Sequence, residues 1–165
     1  KTAEMIEKVM SEEIDFGICS NIPSLPSGLQ LEPLYLDPLH VILPQTKHSL
    51  TIKKFSSLDQ EKLILLKEGH CLSDQTVSQC RAIDLRTTGS VRCENIETLV
   101  GLVESDMGYG IIPEMALPNY AKREIHIPEM KDNQMSREIN IISRADKLFD
   151  KSERLVIKAL MSSST

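Results

Sequence analysis

The sequence has 165 residues, of which 41% are hydrophobic, and its 19 basic and 24 acidic side chains give a net charge of −5. This length is enough to bury a core in one domain or in two small lobes. The densest basic cluster is Lys53–Lys54, so the chain lacks the concentrated positive charge that binds a phosphate backbone. No apolar run reaches the about 18 to 20 residues that span a bilayer, and no signal peptide opens the sequence, which predicts a cytoplasmic protein without a membrane segment.

The N-terminal part of the sequence predicts a helix, a strand and two extended segments. The helix covers residues 1–13, where apolar residues recur at three- and four-residue spacing, and a strand follows at 14–19. After a Pro/Ser-rich loop, LQLEPLYL and LHVILP form two extended segments that meet at Asp37–Pro38. The second segment is a continuous apolar run, which is typical of a strand covered on both faces.

From residue 56 onward, helices and strands alternate. The sequence predicts a short helix at 56–62, a buried strand at 63–66, a turn and short helix at 67–80, and a strand at 90–94. A helix with Asn95 as its N-cap follows, because its apolar residues fall on one face. Strands are expected at 108–113, 124–128 and 137–144, and a last helix at 151–161.

This alternation predicts an α/β fold with mainly parallel sheets. Two crossing points, near Asp37–Pro38 and near Ser136, would divide the chain into two lobes. Residues 1–36 and 138–165 would form the outer lobe, and residues 37–137 the inner lobe that carries two of the cysteines. Proteins of two lobes commonly hold their ligand in the cleft between them.

The cysteines do not form a disulfide-stapled secreted scaffold, because Cys19, Cys71, Cys80 and Cys93 are too few and too irregularly spaced. There is no CxxC motif, and the adjacent pair His70–Cys71 lacks the spacing of a zinc site, so neither a metal nor another cofactor is expected. Cys19 and Cys93 lie in predicted strands, where a cysteine most often serves as a small buried apolar residue.

Cys71 and Cys80 stand nine positions apart in the stretch KEGHCLSDQTVSQC. In a continuous helix this spacing is about two and a half turns, so the side chains would point to opposite faces with Cα atoms about 13 Å apart. A disulfide needs Cα atoms about 4.4 to 6.8 Å apart. The segment must therefore unwind if the pair bonds. From spacing alone, a structural role for both cysteines stays open and is slightly favoured.

The position of Cys71 suits a reactive thiol. Ser73 is the predicted N-cap of a short helix, and the amide groups and positive dipole end of a helix N-terminus favour thiolate over thiol. A protonated His70 would add to this effect, although a histidine in a Gly-His step is most often a hydrogen-bonded turn residue. A thiolate attacks peroxide, and the resulting sulfenic acid condenses with a second thiol, which Cys80 could supply.

The stretch EGHCLSDQTVSQC closely resembles the sensor segment of the hydrogen-peroxide-responsive OxyR group of the LysR-type transcriptional regulators. In that group, a Gly-His-Cys-Leu-x-Asp-Gln run is followed by a second cysteine nine positions after the first. The segments EEIDFGI, EPLYLDPLHVILP, ENIETLVGLVESDMGYGIIP and REINIISR extend the similarity over nearly the whole chain. The resemblance implies a regulatory domain of α/β fold, with two Rossmann-like lobes of the periplasmic-binding-protein type and an interlobe cleft.

The resemblance also implies roles for single residues. Cys71 would attack peroxide, Cys80 would resolve the sulfenic acid as a disulfide, and His70 would bind peroxide and stabilise the thiolate. Thr2 corresponds to a hydroxyl that holds peroxide, and Arg137 to a guanidinium that faces the same pocket.

Asp74 matches the acidic residue that follows the reactive cysteine in this group. Two positions depart from the pattern, since Ser73 replaces a basic residue and Asp106 replaces a glycine of the turn between a helix and a strand.

Regulators of this group work as homodimers and homotetramers on DNA, so the resemblance implies hydrogen peroxide, DNA and RNA polymerase as partners. It implies a non-enzymatic protein that changes conformation on oxidation to control transcription of oxidative-stress genes. The group's helix-turn-helix DNA-binding domain, linker helix and first regulatory strand are expected to lie outside this sequence.

Two other functions stay open. One is a LysR-type effector domain that binds a small metabolite in the cleft, with a carboxylate held at a helix N-terminus such as Asn95–Glu97. The other is a thiol peroxidase that turns over through the same cysteines, for which the sequence shows no reductant-docking motif.

Overall fold

The computed structural model describes residues 2–20, 22, 24–49, 62–67, 77–78, 91–130 and 135–162. The chain has a mixed α/β fold and divides into two compact units. Unit 1 comprises residues 1–36 and 137–165, and unit 2 comprises residues 37–136. 

The described helices are α1 (Thr2–Met10), α2 (Ile96–Glu104) and α3 (Lys151–Ser162), with short 3-10 helices η1 (Gln45–Lys47) and η2 (Glu114–Tyr120). The described strands are β1 (Phe16–Ser20), β2 (Leu29–Pro44), β3 (Leu63–Leu66), β4 (Val91–Cys93), β5 (Tyr109–Pro113), β6 (Ile125–His126) and β7 (Ser136–Arg144).

Unit 1 is built on strands β1, β7 and the first part of β2, with β7 between the other two. β1 and β7 run antiparallel, from Phe16 opposite Ser143 to Ser20 opposite Ile139. Helix α1 can lie close to β1 because Gly17 has no side chain. A Cβ at this position would stand only 2.4 Å from the sulfur of Met5. The core contains Val9, Cys19, Leu29 and Ile142.

Unit 2 contains the second part of β2, followed in the sheet by β5, β3 and β4. Helix α2 packs on this sheet through Leu99, Val100 and Val103, which are buried. The helix can approach β5 closely because Gly110 has no side chain. A Cβ at this position would stand only 2.3 Å from Cδ2 of Leu99. The predicted N-cap of α2 is confirmed, since the Asn95 side chain accepts a hydrogen bond from the N–H of Thr98 at 2.8 Å.

The strand directions differ from the prediction of mainly parallel sheets. β3 is parallel to β4 and β5, whereas β2 is antiparallel to β5 and β6, and β1 is antiparallel to β7. The two predicted extended segments form one strand of 16 residues that continues through Asp37–Pro38. Beyond Pro38, the Leu39 N–H donates to the carbonyl of Met135. Because β2 belongs to both units, its second part enters unit 2 as a strand antiparallel to β5.

The 3-10 helix η2 was not predicted from the sequence. It begins directly after β5, and the buried carboxylate of Asp37 accepts a hydrogen bond from the N–H of Met115 in its first turn. The partner that fixes this helix start lies 78 positions earlier in the chain. A local sequence pattern therefore could not reveal it.

Candidate functional site

Strand β3 directly precedes, in the sequence, the segment with the predicted thiols. This strand is buried along its whole length and is parallel to β4, with Leu66 opposite Cys93. Lys67 continues the pairing, since its N–H donates to the carbonyl of Cys93 at 2.9 Å. Open α/β sheets bind ligands at the carboxyl ends of their parallel strands. Lys67, the last described residue at this end of β3, stands three positions before His70 in the sequence.

Four of the sequence-predicted site residues lie outside the described residues: His70, Cys71, Asp74 and Cys80. Their roles stay predictions from the sequence. Within the interval between the two cysteines, Val77 and Ser78 are described and are helical. Val77 is half-buried and packs against the hydrophobic core of unit 2. A rearrangement that withdraws this side chain would lose the stabilisation of apolar burial, about 0.8 kcal/mol for each buried CH₂ group.

An ion pair joins the carboxyl ends of β3 and β4. The Lys67 ammonium donates to the Glu94 carboxylate, and both side chains are more than half exposed. Sequence reasoning missed both residues. They could have been found from their positions, because each directly follows a buried residue at the end of neighbouring parallel strands.

The two described cysteines, Cys19 and Cys93, are buried in the cores of their units, as predicted. Cys93 Sγ lies 3.5 Å from the carbonyl oxygen of Leu65 and 3.6 Å from that of Asn95, and either oxygen can accept its S–H. Burial raises the pKa of the Cys93 thiol. Because the thiolate is the nucleophilic form, Cys93 is poorly suited to attack peroxide. Cys19 is buried in the core of unit 1.

Thr2 and Arg137, the described members of the predicted peroxide-binding set, both lie in unit 1. Thr2 begins α1, which packs back along β1, so its N-terminus lies toward the carboxyl end of that strand. Arg137 is the second residue of β7, whose antiparallel pairing with β1 places its beginning at the same end. Both side chains are half-buried. The fold therefore brings the two residues to one end of the unit 1 sheet.

The described part of the chain contains no group of three or more histidine, cysteine, aspartate or glutamate side chains that could hold a metal ion. Among its helices, none combines the length and the apolar character needed to cross a membrane.

Comparison with known protein families gives a match over almost the whole chain. The family described as LysR substrate binding domain matches residues 1–164. Among curated proteins, the HTH-type transcriptional regulator EstR of Acinetobacter baylyi is 25% identical over 87% of this chain and 48% of its own length. The DNA-binding transcriptional dual regulator OxyR of Escherichia coli is 24% identical over 87% of this chain and 48% of its own length. The chain thus spans about half the length of the curated relatives it matches.

Solved structures agree on the fold. The reduced OxyR regulatory domain from Pseudomonas aeruginosa superposes with a TM-score of 0.80 and 24% sequence identity, covering 99% of this chain and 78% of that one. At this identity, the likeness establishes the α/β fold that was predicted.

Proposed function

Because this chain belongs to the LysR substrate binding domain family, we propose that it is the hydrogen-peroxide-sensing regulatory domain of a cytoplasmic LysR-type transcription regulator. The observation that carries the proposal is the EGHCLSDQTVSQC stretch directly after the buried strand β3. In this stretch, a histidine-cysteine pair is followed by a second cysteine at the spacing found in the OxyR group. The similarity to OxyR of Escherichia coli supports the same function.

The proposed reaction oxidises two thiols with one peroxide. The Cys71 thiolate attacks one oxygen of hydrogen peroxide, the O–O bond breaks, and the other oxygen leaves as hydroxide, which takes up a proton to become water. Cys71 is then a sulfenic acid. The Cys80 thiol attacks its sulfur, the S–O bond breaks, and a disulfide and a second water form. The sulfurs lose two electrons in total, and peroxide gains them.

Four charged or polar groups would assist the first step. A protonated His70 would stabilise the thiolate and donate to peroxide, because positive charge near a thiol lowers its pKa. Asp74 would accept a hydrogen bond from His70 or from peroxide. Thr2 and Arg137 would hold peroxide through the hydroxyl and the guanidinium, and a positive group favours departure of hydroxide.

Titration with peroxide tests the proposal. The reduced protein is mixed with one equivalent of hydrogen peroxide, and the disulfides are mapped by mass spectrometry. We expect one disulfide, between Cys71 and Cys80, and the same stoichiometry in a Cys93→Ser variant, since Cys93 is buried with a raised pKa. If Cys71 stays a thiol at stoichiometric oxidant, the proposal fails.

A second candidate function is an effector domain that binds a small metabolite. It is favoured by the Lys67–Glu94 pair at the carboxyl ends of two parallel strands, an edge where open α/β sheets bind ligands. The similarity to EstR is also compatible with it. A metabolite that raises the melting temperature of a Cys71→Ser, Cys80→Ser variant would support this function, and indifference of that variant to a metabolite library would count against it.

The whole regulator would act as a homodimer or homotetramer on DNA and contact RNA polymerase. The DNA-binding surface would belong to the helix-turn-helix domain that the resemblance to the OxyR group implies. This chain has a net charge of −5, and its sequence has no concentrated basic cluster that would bind a phosphate backbone. Oxidation would alter the regulatory domain and thereby transcription.

A further inference from the structure

Two exposed methionines stand at the two ends of an inner strand of unit 2. Strand β5 is buried along its whole length and lies between β2 and β3 in the sheet. Met107 precedes the first residue of β5 by two positions, and Met115 follows its last residue by two positions. Met107 is 56% exposed and Met115 is 55% exposed. A small solute can therefore reach both side chains, where the chain enters and where it leaves β5.

Met107 belongs to the turn that ends helix α2. Its N–H bonds back to the carbonyl of Leu102 at 3.1 Å, as the last residue of a Schellman motif does. In this motif, the last side chain commonly packs on the residue whose carbonyl it bonds, and Leu102 in turn packs against the core of unit 2. An apolar side chain at position 107 thus stabilises the end of α2 over the core.

Met115 belongs to the first turn of η2, where strand β2 holds the backbone. The N–H of Met115 donates to the buried carboxylate of Asp37 at 3.1 Å. The preceding residue, Glu114, pairs with His40 at 3.1 Å, and the following residue, Ala116, is buried. A backbone shift that relieved a poor contact of the Met115 side chain would break these bonds.

We propose that hydrogen peroxide in excess over the thiols oxidises Met107 and Met115 to methionine sulfoxide, and that the two sulfoxides loosen the ends of β5. The thioether sulfur attacks one oxygen of peroxide, the O–O bond breaks, and the departing hydroxide takes the proton of the transferred oxygen to become water. The sulfur loses two electrons, and peroxide gains them. The sulfoxide is polar and weakens the apolar contacts that a methionine makes, and methionine sulfoxide reductases restore the thioether. The modification therefore adds a reversible response to high doses of oxidant.

Two other methionines provide internal references. Met135 of unit 2 is 5% exposed, so it should be oxidised much more slowly than Met107 and Met115. Met10 is 51% exposed and is the last residue of α1 in unit 1. Its oxidation should be about as fast as that of Met107, but its sulfoxide should leave the ends of β5 unchanged.

Graded oxidation of the intact Cys71→Ser/Cys80→Ser protein tests the proposal separately from the thiol reaction. Hydrogen peroxide is added over a range of molar excess, each methionine is followed by peptide mass spectrometry, and the melting temperature is measured. We expect Met107 and Met115 to be oxidised at least about tenfold faster than Met135, because the rate follows exposure. The melting temperature should fall by about 2 to 4 °C. Treatment with methionine sulfoxide reductases of both stereospecificities should restore it.

Further substitutions in the same Cys71→Ser/Cys80→Ser protein separate the two sites from general damage. Met107→Leu/Met115→Leu keeps apolar side chains but removes both thioethers, so its melting temperature should not fall on oxidation. Met10→Leu is the matched control, and its melting temperature should fall as much as that of the protein without it. Equal oxidation rates at Met107, Met115 and Met135 would overturn the proposal. An equal fall in melting temperature with and without Met107→Leu/Met115→Leu would overturn it as well.

Discussion

Asp106 occupies a backbone conformation that usually belongs to glycine. Its φ angle is 55°, in the left-handed region. The turn after α2 is a Schellman motif, because the N–H of Met107 bonds back to the carbonyl of Leu102 at 3.1 Å and that of Asp106 to Val103 at 2.9 Å. A side chain at the left-handed position of this motif costs conformational energy that glycine avoids.

A cation compensates for this cost. The Lys47 ammonium donates to the Asp106 carboxylate at 2.6 Å and thereby ties η1 to the end of α2. The turn after α1 repeats the arrangement, since Glu12 has a φ angle of 63° and pairs with Arg144 at 3.3 Å. In both turns, an acidic side chain takes the glycine position and contacts a basic residue from elsewhere in its unit.

We expect Asp106→Gly to be more stable than Asp106→Ala by about 1 kcal/mol in urea unfolding. Both variants lose the ion pair with Lys47, which at the surface contributes about 0.2 to 1 kcal/mol. Only glycine removes the left-handed strain, which costs about 1 to 2 kcal/mol for other residues. A Lys47→Met control loses the ion pair alone and should be only slightly destabilised. Equal stability of the glycine and alanine variants would contradict this account of the turn.

At the scale of elements, ion pairs and hydrogen bonds join the chain after η2 to helix α2. Arg123 donates from Nε and Nη2 to the two carboxylate oxygens of Glu104, at 2.8 and 2.6 Å, and also pairs with Glu97. The backbone N–H of Glu124 donates to Glu104 as well. These hydrogen bonds, chiefly those from Arg123, hold the pKa of Glu104 below its ordinary value.

The lowered pKa of Glu104 predicts a loss of stability in acid. A carboxyl whose pKa is lower in the folded protein contributes stability above its unfolded pKa, and this contribution disappears as pH falls through the folded pKa. Arg123→Met should therefore lower the melting temperature at pH 6.5, and it should lower the melting temperature by less at pH 3. A Lys122→Met control, at the exposed neighbouring position, should have no effect at either pH. An Arg123→Met effect of the same size at both pH values would contradict the linkage.

Val77 lies between Cys71 and Cys80 in the sequence and packs against the core of unit 2. We expect Val77→Ala to destabilise the reduced protein by about 1 kcal/mol, because two methyl groups leave a partly buried site. If disulfide formation withdraws this side chain, the variant should form the disulfide more easily, with a reduction potential about 20 mV more negative. Redox titration against glutathione measures this shift. Val156→Ala, a half-exposed valine of α3, is the control and should leave the potential unchanged.

The elements that could be predicted from sequence are those whose causes are local. β3 is a run of four apolar residues that matches its predicted bounds, and the start of α2 depends on Asn95 three positions before its partner Thr98. η2 depends on Asp37, 78 positions away, and the continuity of β2 through Pro38 depends on pairing with distant strands. Such contacts leave no periodic pattern in the sequence.

At the scale of the whole molecule, the alternation of helices and strands was sufficient to predict the α/β class. It was not sufficient for strand direction, since β2 serves both units and is antiparallel to β5 in unit 2. The thiol pair was recognisable only through a local motif. Lys67 and Glu94 could be recognised as the residues that follow two buried strands. Their ion pair depends on the parallel pairing of β3 and β4, and the contact of Val77 depends on the packed core, so both contacts emerged from the fold.

The proposed sensing mechanism depends most on a change of shape that accompanies the bond between Cys71 and Cys80. Hydrogen–deuterium exchange of the intact protein, before and after one equivalent of peroxide, measures it directly. We predict that amide protection within residues 67–80 falls markedly on oxidation, while protection of β5 and of helix α2 is unchanged. A Cys71–Cys80 disulfide that forms with the same exchange pattern as the reduced protein would contradict the account.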